Sequence, residues 1–351
     1  MLARKRRLAA RPPEGQLQLC HSRVKVRPIA VLVIPVDWCV YIISWTRKSM
    51  KSDTRPVWQR HASAILSGFL GDWLEERNNP LAVPMEVFHG HGPLDYRAPQ
   101  LETPGSTLCL SIHGLMELES VWTFPGRSGL SYGSLLTSAS REITPLTLRY
   151  NTGRPIYRNG EALAAVLEEL VSSWPVPLER IVLMGHSMGG LLIRSACHYG
   201  QALNHRWMER LTDCVYLGSP HDGSWLAKGA KATADLLNRA PRDYLRVAGE
   251  VIDLRSEGIR NLSRGDVVPE GQVEPPLVPG VRHFVVCGLL ARSRTHPVNA
   301  LFGDALVHEA SARGEERTGW KLAGMASFPG VDHIRLAHHP DVARQLVEWL
   351  L

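Results

Sequence analysis

Short apolar runs alternate with helical patterns along most of this chain, and the alternation predicts its main elements. Between residues 150 and 180, apolar side chains recur at helical spacing from Leu163 to Trp174, so a helix is expected to pack one face against a sheet. Asn159 is its predicted N-cap and Pro175 its predicted stop. Runs rich in β-forming residues predict buried strands at 82–88, 107–112, 145–150, 180–184, 214–217, 283–287 and 323–328. The pattern indicates an α/β fold, a mostly parallel central sheet covered by helices on both faces.

The alternation stops between about residues 222 and 280. Helical patterns at 226–239 and 244–254 precede a stretch rich in proline and glycine at 268–280. Long irregular segments in compact domains are often functional. We therefore expect a helical cap insertion at about 222–280, with a passive surface excursion as the alternative.

The first 60 residues differ in composition from the rest. They contain 13 Lys or Arg and 3 Asp or Glu, although the whole chain has a net charge of +6, so this segment sets the basic pI of 9.1. We predict a basic extension at 1–60, outside the core, and a folded domain at 61–351. An apolar run at 29–45 suggests contact with a membrane surface, but Pro35 and Asp37 interrupt it. A disordered tail, or translation starting at Met50, is the alternative.

Charge and cysteine usage limit the partners and the compartment. The arginines of the extension are not interleaved with aromatic residues, so no nucleic-acid partner is expected. Cys109, Cys214 and Cys287 lie in predicted strands and Cys197 in a predicted helix, where thiols act as small apolar groups. Buried, reduced thiols favour a cytoplasmic location, with a membrane-associated one as the alternative.

The sequence GHSMGG at residues 185–190 stands between a predicted strand and a predicted helix. In that setting G-x-S-x-G forms a tight turn that presents its serine as a nucleophile. A β-carbon on Gly185 or Gly189 would collide with the strand and helix packed around the turn. Ser187 is therefore the candidate nucleophile, and the backbone N–H of Met188 is a candidate oxyanion donor.

A serine hydroxyl also needs a second oxyanion donor and a base. His113-Gly114 directly follows the strand at 107–112, so the N–H of Leu115 is the second predicted donor, with an ordinary turn as the alternative. His333 stands between the last predicted strand and the closing helix, from where an imidazole can reach back over the sheet. It is preferred as the base to His338 and His339, which lie at the helix entry.

The acid that orients the base is expected after the strand at 283–287. Asp304 follows a glycine there and is preferred to Asp222, which comes too early, and to Asp332, which adjoins the base. Contact with substrate is predicted for His113, Asn151 and His221 because they stand in loops that follow strands. A structural role in the turn explains Asn151 equally well, and for His221 a structural role in its loop is preferred to contact with substrate.

These motifs together resemble the α/β-hydrolases of the lipase/esterase kind, and in particular bacterial serine hydrolases related to the catalytic domain of GPI inositol-deacylases. The residues that carry the likeness, across about 60–351, are HGLM at His113, YNTG at Tyr150, GHSMGG at Gly185, LGSPHDGS at Leu217, GDALV at Gly303 and VDHI at Val331. The resemblance implies an α/β-hydrolase fold and a Ser187–Asp304–His333 triad that hydrolyses a small-molecule or lipid carboxylic ester through an acyl-serine intermediate, without metal or organic cofactor. It does not carry over the inositol-deacylase substrate, since the many membrane spans of those enzymes are lacking.

Three other functions use the same fold. An acyltransferase or a thioesterase would employ the same triad, and a non-catalytic interaction protein would keep the fold without the chemistry.

Overall fold

The structure is a computed structural model that describes residues 57–79, 82–223, 256–292 and 320–351. All of them belong to one compact unit, Met50–Leu351. The predicted extension is therefore outside the described residues up to residue 56, and the first described helix begins shortly before the predicted boundary at 61.

The described residues contain one eight-stranded sheet. Its strands are β1 (Glu86–His89), β2 (Gly92–Leu94), β3 (Thr107–Ile112), β4 (Ile143–Arg149), β5 (Arg180–His186), β6 (Leu211–Leu217), β7 (Arg282–Leu289) and β8 (Gly324–Pro329). They are ordered β2-β1-β4-β3-β5-β6-β7-β8. β1 is antiparallel to both neighbours, whereas the strands from β3 to β8 run parallel. Each predicted strand has its counterpart, and the short strand β2 is an addition.

Helices cover both faces of the sheet. They are α1 (Val57–Glu76), α2 (Tyr132–Ala139), α3 (Ile156–Ser173), α4 (Met188–Ala202), α5 (Glu257–Arg264) and α6 (Pro340–Leu350). One buried apolar cluster joins the sheet to α3 and α4, and a second joins the opposite face to α2 and α6. The α/β-hydrolase fold predicted from the sequence is confirmed by this arrangement.

The helix α3 begins earlier than predicted. Its first residue is Ile156, so Asn159 lies within the helix and the N-cap prediction is wrong. The side chain of Asn261 accepts a hydrogen bond from the Ile156 N–H at 3.0 Å, so the cap comes from a residue far along the chain. The predicted stop is correct, since α3 ends at Ser173, just before Trp174 and Pro175.

The predicted cap insertion lies partly outside the described residues, which resume at Ser256. The Ser256 hydroxyl caps α5, accepting from the Ile259 N–H, and donates to the Gly68 carbonyl of α1 at 2.7 Å. The proline-rich stretch that follows is bound to α4, where Arg194 donates to the Glu274 carboxylate at 2.8 Å and to a backbone carbonyl at 3.1 Å. The described part of the insertion is therefore attached to α1 and to the helix that follows Ser187.

The four cysteines of the predicted core are buried. Cys109, Cys214 and Cys287 lie in β3, β6 and β7, and Cys197 lies in α4, as predicted. Burial raises the pKa of the Cys109 thiol to about 12, so this group stays protonated. Among the helices of the described residues, none combines the length and the apolar character that a membrane span requires.

Candidate active site

Ser187 occupies the turn between β5 and α4, as predicted. Its backbone has φ 52° and ψ −121°, a combination that residues with a side chain rarely adopt. Its N–H donates to the Leu217 carbonyl at the end of β6, at 2.9 Å, and its own carbonyl accepts from the Gly190 N–H at 3.1 Å. Two hydrogen bonds thus hold the strained turn, and Ser187 keeps an exposed fraction of 9% between the fully buried His186 and Met188.

The glycines around Ser187 are required by close packing. A β-carbon on Gly185 would lie 2.5 Å from the Gly189 carbonyl carbon, and one on Gly189 would lie 2.3 Å from the Ile112 carbonyl oxygen. Real β-carbons do not approach so closely, and the obstructing atoms belong to the backbone. The predicted collisions of the β-carbons with strand and helix are confirmed.

The loop after β3 lies directly against this turn. A β-carbon on Gly114 would lie 2.8 Å from the Ser187 β-carbon. The Gly114 carbonyl accepts hydrogen bonds from His113 Nδ1 at 2.9 Å and from the Glu117 N–H at 3.3 Å. The peptide bond that follows is trans, so the Leu115 N–H points in the opposite direction to that carbonyl. Two donors therefore fix the orientation of the predicted oxyanion amide of Leu115.

The second predicted oxyanion donor stands at the start of α4. Met188 is the first residue of this helix, and the first N–H groups of a helix have no acceptor within it. The helix dipole adds a partial positive charge at the same end. The position suits an N–H that stabilises negative charge near Ser187.

His333 lies in the loop after β8, directly before a 3-10 turn at Ile334–Ala337, and is 3% exposed. Its ring centroid is 4.8 Å from that of His186, and its carbonyl accepts a hydrogen bond from His186 Nε2 at 2.8 Å. Since His186 immediately precedes Ser187, the structure brings the predicted base to the turn that holds the predicted nucleophile.

The loop that carries His333 is held by Tyr132 of α2. The Tyr132 hydroxyl donates to the Leu336 carbonyl at 2.7 Å and accepts from the His339 N–H at 2.8 Å. Burial raises the pKa of Tyr132 above its ordinary value, so the hydroxyl remains a donor. The segment from β8 to α6 is thereby fastened to the neighbouring helix.

The alternatives to His333 and Asp304 have other contacts. His338 Nδ1 is bonded to the Val121 carbonyl at 3.0 Å, and the His339 side chain caps α6 by accepting from the Asp341 N–H. The Asp332 carboxylate accepts from the Arg335 N–H at 3.1 Å, a contact within its own turn. Asp304 lies outside the described residues, so its assignment stays a prediction.

Two of the residues predicted to contact substrate, His113 and His221, are buried against aromatic rings. His113 is fully buried and stacks on Tyr150 with 4.6 Å between ring centroids, and burial lowers its pKa. His221 is also fully buried, with its ring edge-on to Tyr216 and Trp320, 4.8 Å between centroids in both cases. Their roles toward a substrate stay predictions.

Asn151 connects the loop after β4 to α1. Its Oδ1 accepts from the Ser67 hydroxyl at 3.0 Å and from the Gly153 N–H at 3.1 Å. Its Nδ2 donates to the Gly71 carbonyl at 2.9 Å and to the Glu75 carboxylate at 3.1 Å. These four bonds use both the oxygen and the nitrogen of the side-chain amide. A structural role in the loop therefore explains the Asn151 side chain.

A buried carboxylate, that of Glu117, lies beside the site. This residue was not predicted from the sequence. One oxygen, Oε2, accepts from the Gly114 N–H at 2.8 Å and from His186 Nδ1 at 2.9 Å. Burial alone would raise its pKa, but the charge and hydrogen bond of His186 outweigh it and bring the pKa of Glu117 to about 2. The sequence contains one signal for this contact, because a Glu three residues after an amide has the spacing at which capping boxes reach back to a backbone N–H.

Comparisons with known proteins give structural neighbours only. No protein-family model and no curated protein sequence matches the chain. The Bacillus licheniformis lipase BlEst2 in mature form is 17% identical, with a TM-score of 0.49 over 75% of this chain and 97% of that one. A thermophilic esterase from Thermogutta terrifontis is 14% identical, with a TM-score of 0.42 over 76% and 92% of the two chains. The RedJ thioesterase of the prodiginine pathway in Streptomyces coelicolor is 16% identical, with a TM-score of 0.44 over 72% and 89%.

Proposed function

We propose that this protein is a serine hydrolase that cleaves a carboxylic ester through an acyl-serine intermediate. The observation that carries the proposal is the strained turn at Ser187, with φ 52° and ψ −121°, packed against the loop of Gly114. A turn of this kind between a strand and a helix exposes a serine hydroxyl as a nucleophile. The nearby His333 ring supplies a base.

In the proposed reaction, Ser187 Oγ attacks the ester carbonyl carbon while His333 accepts the hydroxyl proton. The N–H groups of Leu115 and Met188 bind the oxyanion of the tetrahedral intermediate. The intermediate collapses as His333 gives its proton to the departing alcohol, leaving an acyl group on Ser187. Water, activated by His333, then releases the carboxylic acid and restores the serine. Asp304 is proposed to orient the imidazole and to stabilise its charge.

The substrate proposed is a small-molecule or lipid ester, in agreement with the sequence resemblance to bacterial relatives of inositol-deacylases. A thioesterase would accept the same steps with a thiolate leaving group, and an acyltransferase would replace water by an alcohol. We propose a cytoplasmic location, with membrane-surface contact through the basic extension as the alternative. Fractionation of the full-length chain in low salt separates the two.

The test is covalent labelling combined with a chromogenic ester series of increasing acyl length. A fluorophosphonate probe is expected to label Ser187, and Ser187→Ala should lower kcat by about 10⁴-fold or more. The matched control is Ser195→Ala, because Ser195 is a fully buried serine of α4 whose hydroxyl has no hydrogen-bond partner among the described residues. Labelling and turnover that persist in folded Ser187→Ala would overturn the proposal.

A further inference from the structure

Glu117 and His186 form a buried pair that the proposed chemistry does not use. The Glu117 side chain is 7% exposed and that of His186 is fully buried. Glu117 belongs to the loop after β3, and His186 is the last residue of β5. Burying such a pair costs desolvation energy, so its burial is by itself weak evidence of a contribution to stability, and its contacts must be considered in turn.

Two hydrogen bonds extend from this pair to the two sides of Ser187, and a third joins its two members. Glu117 Oε2 accepts from the Gly114 N–H, in the loop that packs on the Ser187 β-carbon. The same oxygen accepts from His186 Nδ1, and His186 Nε2 donates to the carbonyl of His333. One continuous set of hydrogen bonds therefore connects the oxyanion loop to the loop of the proposed base.

The partners of His186 determine its protonation. A backbone carbonyl can only accept, so Nε2 carries a proton, and the ionised Glu117 carboxylate can only accept, so Nδ1 carries one as well. With a proton on both ring nitrogens, His186 would be an imidazolium whose charge Glu117 balances. The ring of Trp122, at 6.4 Å between centroids, and the ring of His333, at 4.8 Å, also face His186.

A second carboxylate close by has a different partner. Glu119 accepts two hydrogen bonds from the Arg149 guanidinium, from Nε at 2.8 Å and from Nη2 at 2.7 Å. Its side chain is 12% exposed, similar to Glu117. Glu119 is therefore a matched control, a partly buried and paired carboxylate of the same segment that bonds to neither Gly114 nor His186.

We infer that Glu117 and His186 are positioning residues, which set the oxyanion loop and His333 relative to Ser187 through one shared carboxylate oxygen. The inference rests on the proposed function. A misplacement of about 1 Å between reacting groups costs roughly 10²-fold in rate. Loss of the Glu117 charge should therefore affect the chemical step more than the binding of the ester.

The test compares kcat and KM of Glu117→Gln and Glu119→Gln on the same chromogenic ester, with folding verified by circular dichroism. Glu117→Gln is expected to lower kcat by about 10- to 100-fold while KM changes by less than about twofold. Glu119→Gln should lose thermal stability and keep kcat within about threefold of the original protein. Equal losses of kcat in the two variants would overturn the inference.

A second measurement uses the unaltered protein and so does not depend on the folding of a variant. With ¹⁵N-labelled histidine, NMR should detect a histidine with both ring nitrogens protonated at about pH 8, where a free imidazole is neutral. The signal should disappear in His186→Gln. An unaltered protein with no doubly protonated histidine would overturn the inference. Turnover that survives Ser187→Ala would instead reject the proposed function, whereas an inactive Ser187→Ala beside a fully active Glu117→Gln rejects the positioning role alone.

Discussion

Among the described residues, a buried carboxylate lies at each end of the parallel sheet, and the two have different partners. At the amino end, Asp213 of β6 binds Arg180 at 2.7 Å and Arg282 at 2.6 Å. At the carboxyl end, Glu117 binds His186. Arginine keeps its charge at any pH a protein encounters, whereas the charge of a histidine depends on its neighbours. The amino end is thus fixed by permanent charges, whereas the pair at the carboxyl end contains a group whose charge depends on its protonation.

The two ends of the sheet also differ in which residues have a positive φ. Near the amino end, Asn204, which precedes β6, has a positive φ, and asparagine adopts this conformation readily. At the carboxyl end, Met116 and Ser187 have φ values of 59° and 52°, although neither type favours them. Strain of this kind persists only where the surroundings impose it, and it concentrates at functional sites. The comparison finds strained non-glycine backbone at the carboxyl end, where the proposed site lies, and the arginine pairs of a buried aspartate at the amino end.

The largest expected effect is on turnover at the carboxyl end. His333→Ala should lower kcat/KM by roughly 10⁴-fold because the serine loses its base. His338→Ala is the control, since His338 bonds to the Val121 carbonyl and should lose stability rather than turnover. Steady-state kinetics with an ester and a thermal midpoint for each variant make the comparison. A larger loss of turnover in His338→Ala would mean that the base is wrongly assigned.

The next effect is on stability at the amino end. Asp213→Asn removes the charge that two arginines share and should lower the free energy of unfolding by about 3 kcal/mol. The kcat of the folded fraction should stay unchanged, because the site is at the other end of the strands. Urea unfolding and kcat per titrated active site measure the two quantities. A selective loss of kcat in folded Asp213→Asn would contradict the division between the two ends.

Two glycines on either side of β3 allow the same substitution at both ends. Gly114→Ala forces a β-carbon toward Ser187 and Glu117 and should lower kcat/KM by about 10²-fold. Gly105→Ala would place a β-carbon 2.0 Å from the Glu142 carbonyl oxygen. This variant should be less stable than the original protein but should keep its kcat/KM per active site. Kinetics with active-site titration separate the outcomes, and identical kinetic losses would remove the distinction between the ends.

The smallest effect is a pH dependence of stability. The pKa of Glu117 in the folded protein is about 2, below its ordinary value of about 4.5. A lowered carboxyl pKa stabilises the fold above the unfolded value, and this contribution is lost as the pH falls toward 2. The difference in unfolding free energy between the original protein and Glu117→Gln should be largest near neutral pH and shrink below about pH 4.5. Urea titrations across this interval measure it, and a constant difference would show that the carboxylate charge has no part in stability.

The sequence predicted the surroundings of Ser187 because the signals there are local. An apolar run, two glycines and a helical pattern lie within a few residues of Ser187, so strand, turn and helix could be assigned without knowledge of distant contacts. The pair of Glu117 and His186 could not, since the two residues are 69 positions apart and meet only because β3 and β5 are neighbours in the sheet.

The helix α1 was missed for a different reason. Its buried stripe consists mostly of small residues, Ala64, Ser67 and Gly71, with Leu74 as the large apolar member. A search for apolar periodicity does not register Ser and Gly, although they recur at helical spacing. A β-carbon on Gly71 would lie 1.9 Å from Asn151 Oδ1, so close approach to the loop after β4 requires the small residue.

This stripe has a consequence for the order in which the chain is made. The bond partners of α1 are synthesised long after it, Asn151 being 84 residues later than Ser67 and Ser256 being 188 residues later than Gly68. At roughly 5–20 residues per second, the last of these contacts becomes available roughly 10 to 40 s after α1 leaves the ribosome. During that interval the stripe of α1 exposes mostly small residues, Ala64, Ser67 and Gly71, with Leu74 as its large apolar member. The stripe of α1 that binds these late partners therefore stays unpaired until the loop after β4 and the start of α5 have been synthesised.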